Sequence, residues 1–302
     1  MSYSNGLENI VDNIYRSLEP LSQGNPIALS DENIERTVSD IKEALVHWSR
    51  PSERNKNFTL RMSNVGRPAR QLWFENKNPT ENNITPSNQI RFLYGHLLEA
   101  IALMLARVAD YEVTDEQKEV EVDGIKGHID CKINGEVVDI KTASRISFDK
   151  FQKGTVAEDD PFGYLAQLSG YEESEGTSNG GFLVVSKDSW ELCFYKPDSL
   201  DKVNIKERIE TLQSDISLDK PPAFCYDPVP EGAKGNMKLP RQCAYCSYKY
   251  ECHKDSNDGQ GLRTFKYSKG LVYMTEVKVL PKVEELWIKK PWKKYTGKQK
   301  IY

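Results

Sequence analysis

The sequence predicts an α/β fold, in which a mixed central β-sheet is flanked by helices, with a helical region ahead of it and a cysteine cluster behind it. Three observations lead there. Residues 118–142 hold two turn dipeptides, Asp123-Gly124 and Asn134-Gly135, each between β-rich runs, which reads as a meander of three short strands. Upstream, apolar residues through Ile101, Leu103, Met104, Leu105 and Val108 have the spacing of a buried amphipathic helix. Downstream, residues 161–171 begin a second helical segment, and residues 180–186 and 190–195 read as two further strands joined by a turn at Lys187-Asp188-Ser189.

At 302 residues the chain can bury a substantial core, as one large domain or as a core with appendages. With 38% hydrophobic and 28% charged residues its composition is that of a globular protein, and no continuous apolar run approaches the length needed to cross a bilayer. The start, Met-Ser-Tyr-Ser-Asn-Gly, lacks the basic and apolar stretches of a secretory signal, so the expected location is cytoplasmic, with no membrane partner. Lysine and arginine number 41 against 45 acidic residues, a net charge of −4. Such a balance gives no global signature of nucleic-acid binding, and any contact of that kind must rest on a local basic surface.

Residues 1–57 read as a helical accessory region. Leu7, Ile10, Val11, Ile14 and Leu18 form one helical stripe, and Ile34, Val38, Ile41, Leu45 and Trp48 a second, opened by Ser30 with acids in the first turn. Both stripes are expected to pack on the core. In residues 58–75, Gly66 and Pro68 break the chain before an Arg70-Gln71-Leu72-Trp73-Phe74 run. Arg61, Arg67 and Arg70 with Ser63 and Gly66 can hold a phosphate, or the segment is an ordinary loop entering a helix. Residues 76–90 read as a loop and residues 198–215 as a helix. From Arg263 the pattern is a hairpin, and after Glu285 there are no acids but six lysines among Trp287, Trp292 and Tyr295. That tail suits phosphate neutralisation and base stacking, or simple solubilisation.

The chemistry concentrates around the second turn. A hairpin closed by Asn134-Gly135 brings Asp130 beside Asp139, and Lys141 shares the face of Asp139 because strand side chains alternate. Ile129, Val138 and Ile140 are apolar, so these charges emerge from strands that look buried. A divalent cation held by the two carboxylates would remove the cost of burying them. The competing reading is a solvated strand face with an incidental Asp-x-Lys. Glu99, the one acid between Glu81 and Asp110, lies in the apolar helix as a candidate third carboxylate, with His96 one turn before it. Gln167 and Tyr171 fall on one face of the second helix.

Six cysteines are present. Cys131 and Cys193 alternate with apolar residues in strands and read as core thiols. Cys243, Cys246 and Cys252 lie within ten residues at metal-ligand spacing. A closed site needs a fourth ligand, for which Cys225 is the first choice and His253 the second; four thiolates suit zinc or an iron–sulfur cluster.

Taken together, Glu99, Asp130, Asp139-Ile140-Lys141 and Gln167-x-x-x-Tyr171, in the order helix, strand, strand, helix, resemble the PD-(D/E)XK nuclease superfamily in its RecB-like branch. The resemblance extends over roughly residues 60–255. It implies a restriction-endonuclease-like core at residues 58–220, a Cys-rich metal-binding segment at 221–262 and a hairpin with a basic aromatic tail at 263–302. It further implies Mg²⁺ or Mn²⁺ held by Glu99, Asp130, Asp139 and the Ile140 carbonyl, with Lys141 orienting the attacking water and Gln167 positioning Lys141 or the nucleophile. The segment from Ser63 through Gly66 and Arg70-Gln71 to Trp73 is similar to one in nucleases of phages and of CRISPR adaptation. DNA contacts are therefore expected from Ser63, Arg67, Arg70, Gln71 and Tyr171. The cysteine triplet resembles the one that holds a [4Fe-4S] cluster in AddB-type and CRISPR-adaptation nucleases, with Zn²⁺ the alternative; Ala69 and Arg70 stand where iron–sulfur members carry another cysteine. The implied activity is a metal-dependent deoxyribonuclease, an exonuclease of phage-type DNA recombination, repair or replication, with DNA and a recombination or replication protein as partners. An endonuclease, or a DNA-binding scaffold on a degenerate nuclease fold, is the alternative.

Overall fold

The computed structural model describes residues 6–50, 58–78 and 85–286. The chain divides into two compact units, Met1–Arg67 with Glu75–Leu218, and Pro68–Phe74 with Asp219–Tyr302. In chain order the helices are α1 (Ile10–Ser22), α2 (Asp31–Ser49), α3 (Ala69–Lys77), α4 (Pro86–Val108), α5 (Arg145–Gln152), α6 (Tyr164–Glu175) and α7 (Ile205–Ser217), followed by shorter turns. The strands of the first unit are β1 (Val113–Thr114), β2 (Glu119–Val122), β3 (Ile125–His128), β4 (Cys131–Ile133), β5 (Glu136–Ala143), β6 (Gly181–Ser186) and β7 (Leu192–Tyr195).

The central sheet runs β1-β4-β5-β6-β7. It is mixed: β5 and β6 pair in parallel, with Asp139 opposite Phe182 and Lys141 opposite Val184, and the other pairs are antiparallel. A parallel pair needs a long crossover, which α5 and α6 supply. The α/β class with a helix-flanked mixed sheet is thus the observed one.

The expected three-strand meander is four strands in two sheets. β2 and β3 form a separate hairpin, β4 and β5 belong to the central sheet, and the chain changes sheets at Ile129-Asp130. Both turns are as read, with positive φ at Asp123 and Gly124 and at Asn134 and Gly135. The break coincides with a contact from outside the strand, since the Asp130 carbonyl accepts the Gln117 N–H at 3.2 Å and is taken from the ladder.

Ile10 and Ile14 of α1 are fully buried in one cluster with Leu103 and Ala106 of α4 and Ile133, Val138 and Leu183 of the sheet. The stripe on α2 is a correction. Ile34, Val38, Leu45 and Trp48 are exposed, while Asn33 and Thr37 are buried. The polar face turns inward because Asp40 reaches the buried Arg107 of α4 at 3.4 Å, and Arg107 also pairs with Glu116 at 2.5 Å. Helix α4 begins inside the stretch read as a loop, where the Thr85 hydroxyl accepts the Asn88 N–H and Pro86 opens the first turn. At 23 residues it is long and apolar enough to cross a bilayer, contrary to the expectation that no segment would be; in this unit it packs on α2, α1 and β5.

In the second unit, β8 (Val229–Glu231), β9 (Asn236–Lys238), β10 (Arg263–Tyr267), β11 (Gly270–Glu276) and β12 (Glu284–Leu286) make an antiparallel sheet in the order β12-β10-β11-β9-β8. Phe265 and Met274 are fully buried in it. The β10–β11 hairpin is the one read from Arg263 onward. The lysine-rich tail from Trp287 lies outside the described residues.

Candidate active site

The side chains singled out by sequence converge on one edge of the β5 strand. Continuing the Cys131–Val138 register by one residue sets Asp130 opposite Asp139. The Asp130 carboxylate accepts the Ile140 N–H at 2.7 Å, so the break in the strand is closed by a side chain. Asp139 is 1% exposed and forms an ion pair with Lys141. That pair apart, neither Asp139 oxygen has a hydrogen-bond partner among the described residues.

Lys141 is tied in a chain. Its Nζ donates to Gln167 Oε1 at 3.4 Å, and Gln167 Nε2 donates to the Tyr171 hydroxyl at 3.0 Å. Both latter groups come from α6, one turn apart, as their spacing requires. Tyr171 is 2% exposed, which corrects the expected DNA-backbone contact: it braces Gln167 from within. His96 is not drawn into the site, its ring lying 6.0 Å from that of His47 on α2.

Glu99, half-buried on α4, joins the same electrostatic cluster. Burial raises its carboxyl to about 7, with the charges of Asp139 and Asp40 adding to the rise and a hydrogen bond from Gln117 opposing it. Gln117 Nε2 donates to Glu99 Oε1 at 2.6 Å, while its backbone N–H holds the Asp130 carbonyl. One residue thus fixes two carboxylate-bearing positions. Gln117 adopts φ of 53°, a conformation that no feature of its sequence announces. Burial, reinforced by Asp139 and Glu99, pushes the Asp130 carboxyl well above the usual carboxylate range. Burial alone would lower the Lys141 amine, but Asp139 and Asp130 outweigh it and hold the amine above its ordinary value.

Among the described residues, no three His, Cys, Asp or Glu side chains are drawn together closely enough to hold an ion as they lie. The donor chemistry nevertheless fits a hard divalent cation, because the carboxylates outnumber the ammonium three to one and, among the described residues, the buried Asp139 carboxylate has no donor besides Lys141.

Around the site, Ser63 is exposed on a tight turn. Arg67 pairs with Glu75 at 3.5 Å, and its carbonyl accepts from Arg208 at 2.7 Å. Its charge is felt at the Tyr164 hydroxyl.

Within the second unit, Cys225, Cys243, Cys246 and Cys252 line one cavity of about 40 Å³, together with His253, Arg70 and Gln71. Burial, with the other three thiols adding, pushes Cys243 up to about 12. Arg70 Nε donates to Cys252 Sγ at 3.0 Å, and its guanidinium lies 4.2 Å from the centre of the Phe224 ring. The Gln71 N–H is directed at Cys225. Arg70 and Gln71 are therefore committed to the cysteine loop rather than to a phosphate. His253 stacks on Phe224 at 4.9 Å. Cys131 is buried in the sheet as expected, and so is Cys193.

No protein-family model matches the sequence, and a search of curated proteins finds no match. Two solved structures align at low similarity. One, a protein designated SSO0001, is 18% identical with a TM-score of 0.39, over 70% of this chain and 93% of that chain. The other, an alkaline exonuclease from Laribacter hongkongensis, is 13% identical with a TM-score of 0.34, over 51% of this chain and 89% of that chain. Both TM-scores are low.

The raised Glu99 carboxyl sets a pH dependence. Between about 4.5 and about 7 the folded, metal-free protein holds a proton on Glu99 that the unfolded chain has released, so stability is present at low pH and falls as pH rises through that window. In EDTA, Glu99→Gln is expected to reduce that fall and to be more stable than the wild type at pH 7.5 by on the order of 1 kcal/mol, after discounting for solvent access. Urea titration of both proteins between pH 4 and 8 measures it; parallel pH profiles would contradict the assignment.

Proposed function

We propose that the first unit is a metal-dependent deoxyribonuclease of the PD-(D/E)XK type in its RecB-like branch, hydrolysing DNA phosphodiesters at Glu99, Asp130, Asp139 and Lys141. The observation that carries this is the buried Asp139 carboxylate, paired among the described residues with Lys141 alone and crowded by two further carboxylates. A surface built only to bind DNA has no use for such a cluster, because it repels phosphates.

Glu99, Asp130 and Asp139, with the Ile140 carbonyl, are the groups to hold Mg²⁺ or Mn²⁺. When bound, the cation supplies Lewis acidity, polarising the scissile phosphate and lowering the pKa of its water. The chain's own part is positional. Lys141 stays protonated at neutral pH, since its carboxylate neighbours hold its amine above the ordinary value, so it acts as a fixed cation and not as the general base. There it stabilises charge building on the phosphate oxygens as water attacks phosphorus and the P–O bond to the leaving oxygen breaks. Gln167 orients Lys141, and Tyr171 orients Gln167. Exonucleolytic action in phage-type recombination, repair or replication, with DNA as substrate, is the finer reading that the resemblance favours.

At the cysteines, soft sulfur donors on one cavity suit a [4Fe-4S] cluster, with Zn²⁺ the alternative, held by Cys225, Cys243, Cys246 and Cys252. Its role is structural, fixing the loops of the second unit.

Two experiments test these proposals. End-labelled linear and closed circular DNA are incubated with Mg²⁺, Mn²⁺ or EDTA. Loss of linear DNA alone, dependent on metal and slowed at least ~100-fold in Asp139→Ala and Lys141→Ala, is expected. Cutting of circles would make the enzyme an endonuclease; binding without cleavage under any condition would leave a degenerate-fold DNA-binding protein. Metal analysis of anaerobically purified protein is expected to give roughly four iron and four sulfide per chain, lost in Cys246→Ala; a single zinc would decide for the alternative, and no metal would end the proposal.

A further inference from the structure

Phe162 stands 58% exposed, two residues before the Tyr164 that opens α6. Single exposed apolar side chains are ordinary. This one differs in how it is held and in what it adjoins. Its ring stacks on Tyr164, with centroids 5.4 Å and planes 27° apart. Tyr164 meets Phe151 at 5.8 Å and Phe182 at 6.3 Å, and Phe182 stacks on Tyr195 at 6.1 Å. Phe162 is therefore the open end of a run of rings anchored in the core.

The backbone beneath it is fixed as well. The Asp160 carboxylate accepts from the Gly163 N–H at 2.9 Å and the Leu165 N–H at 3.0 Å. Gly163 has φ of +77°, and a Cβ there would come within 2.3 Å of the Gly66 backbone, so the turn is locked against the loop that carries Arg67.

Tyr164 also faces the candidate active site. Lys141 Nζ lies 5.2 Å from its ring centre, and the charges of both Lys141 and Arg67 are felt at its hydroxyl. A cation suited to a phosphate and an open ring suited to a base are thus separated by a single side chain. Inside a duplex both faces of a base are covered by its neighbours. An open ring can stack only on a base at an end or in an unpaired strand, and it does so without regard to sequence, because every base has a π-face.

We infer that Phe162 is a stacking platform for an unpaired base of the strand whose phosphate is engaged at Lys141. This rests on the nuclease reading and adds the substrate class: DNA that is single-stranded, or frayed, next to the scissile bond.

The test uses the full chain and single-stranded oligonucleotides carrying 2-aminopurine at successive positions, with Ca²⁺ in place of Mg²⁺. The wild type is expected to quench 2-aminopurine at one position, and Phe162→Trp to preserve the quench. Phe162→Ala and Phe162→Leu are expected to lose it and to bind single strands roughly 5- to 100-fold more weakly, with KM for single-stranded cleavage in Mn²⁺ raised by a similar factor. Quenching and affinity unchanged in Phe162→Ala would overturn the platform. The two readings fail separately. Cleavage that needs Asp139 but is indifferent to Phe162 leaves the nuclease and removes the platform; a Phe162-dependent quench without any cleavage leaves base binding and removes the nuclease.

Discussion

The candidate site of the first unit depends on one buried ion pair. Asp139 sits in the sheet interior with Lys141 beside it, and Asp130 and Glu99 crowd the same volume. Three carboxylates against one ammonium leave a surplus of negative charge where water screens it poorly, and such a surplus is met by protons or by a cation. The raised Asp130 and Glu99 carboxyls are the proton answer, adopted when no cation is at hand. A divalent ion is the other answer, and its binding would release those protons. The surrounding hydrogen bonds keep the site in readiness for either, with Gln117 holding Glu99 and the Asp130 backbone, Ile140 holding the Asp130 carboxylate, and the Gln167–Tyr171 pair holding Lys141.

Much of this arrangement was legible in the sequence because it follows from short-range rules. Asn134-Gly135 closes a tight hairpin because both residues accept positive φ, and once closed it places Asp130 against Asp139. Spacing of four residues puts Gln167 and Tyr171 on one helix face. The misreadings share a cause, which is that long-range contacts overrode local pattern. The stripe on α2 has the right period, yet it faces outward because the polar side is drawn in by Arg107 and Glu116, residues far along the chain. Nothing in Ile129-Asp130 marks the end of a strand; the distant N–H of Gln117 ends it. Gln117 itself was invisible, since glutamine has no preference for positive φ and its role appears only when two segments meet. The start of α4 was the opposite case, a cap and a first-turn proline hidden among loop-like residues.

The second unit repeats the lesson with sulfur. Spacing alone marked Cys243, Cys246 and Cys252 as a set and suggested Cys225, and all four face one cavity. What spacing did not give is Arg70, which donates to Cys252. The arginine read as a phosphate contact thus contributes to the sulfur site.

If the surplus of carboxylate charge is matched by a divalent cation, ion binding reads that match more closely than turnover does. Mn²⁺ titrated into the full chain at pH 7.5 by calorimetry, in two buffers of different ionisation heat, reads ion binding and proton release together. Binding coupled to proton release, both lost in Asp139→Asn, is the expected result. Absence of binding, or binding that is unchanged by that substitution, would contradict it.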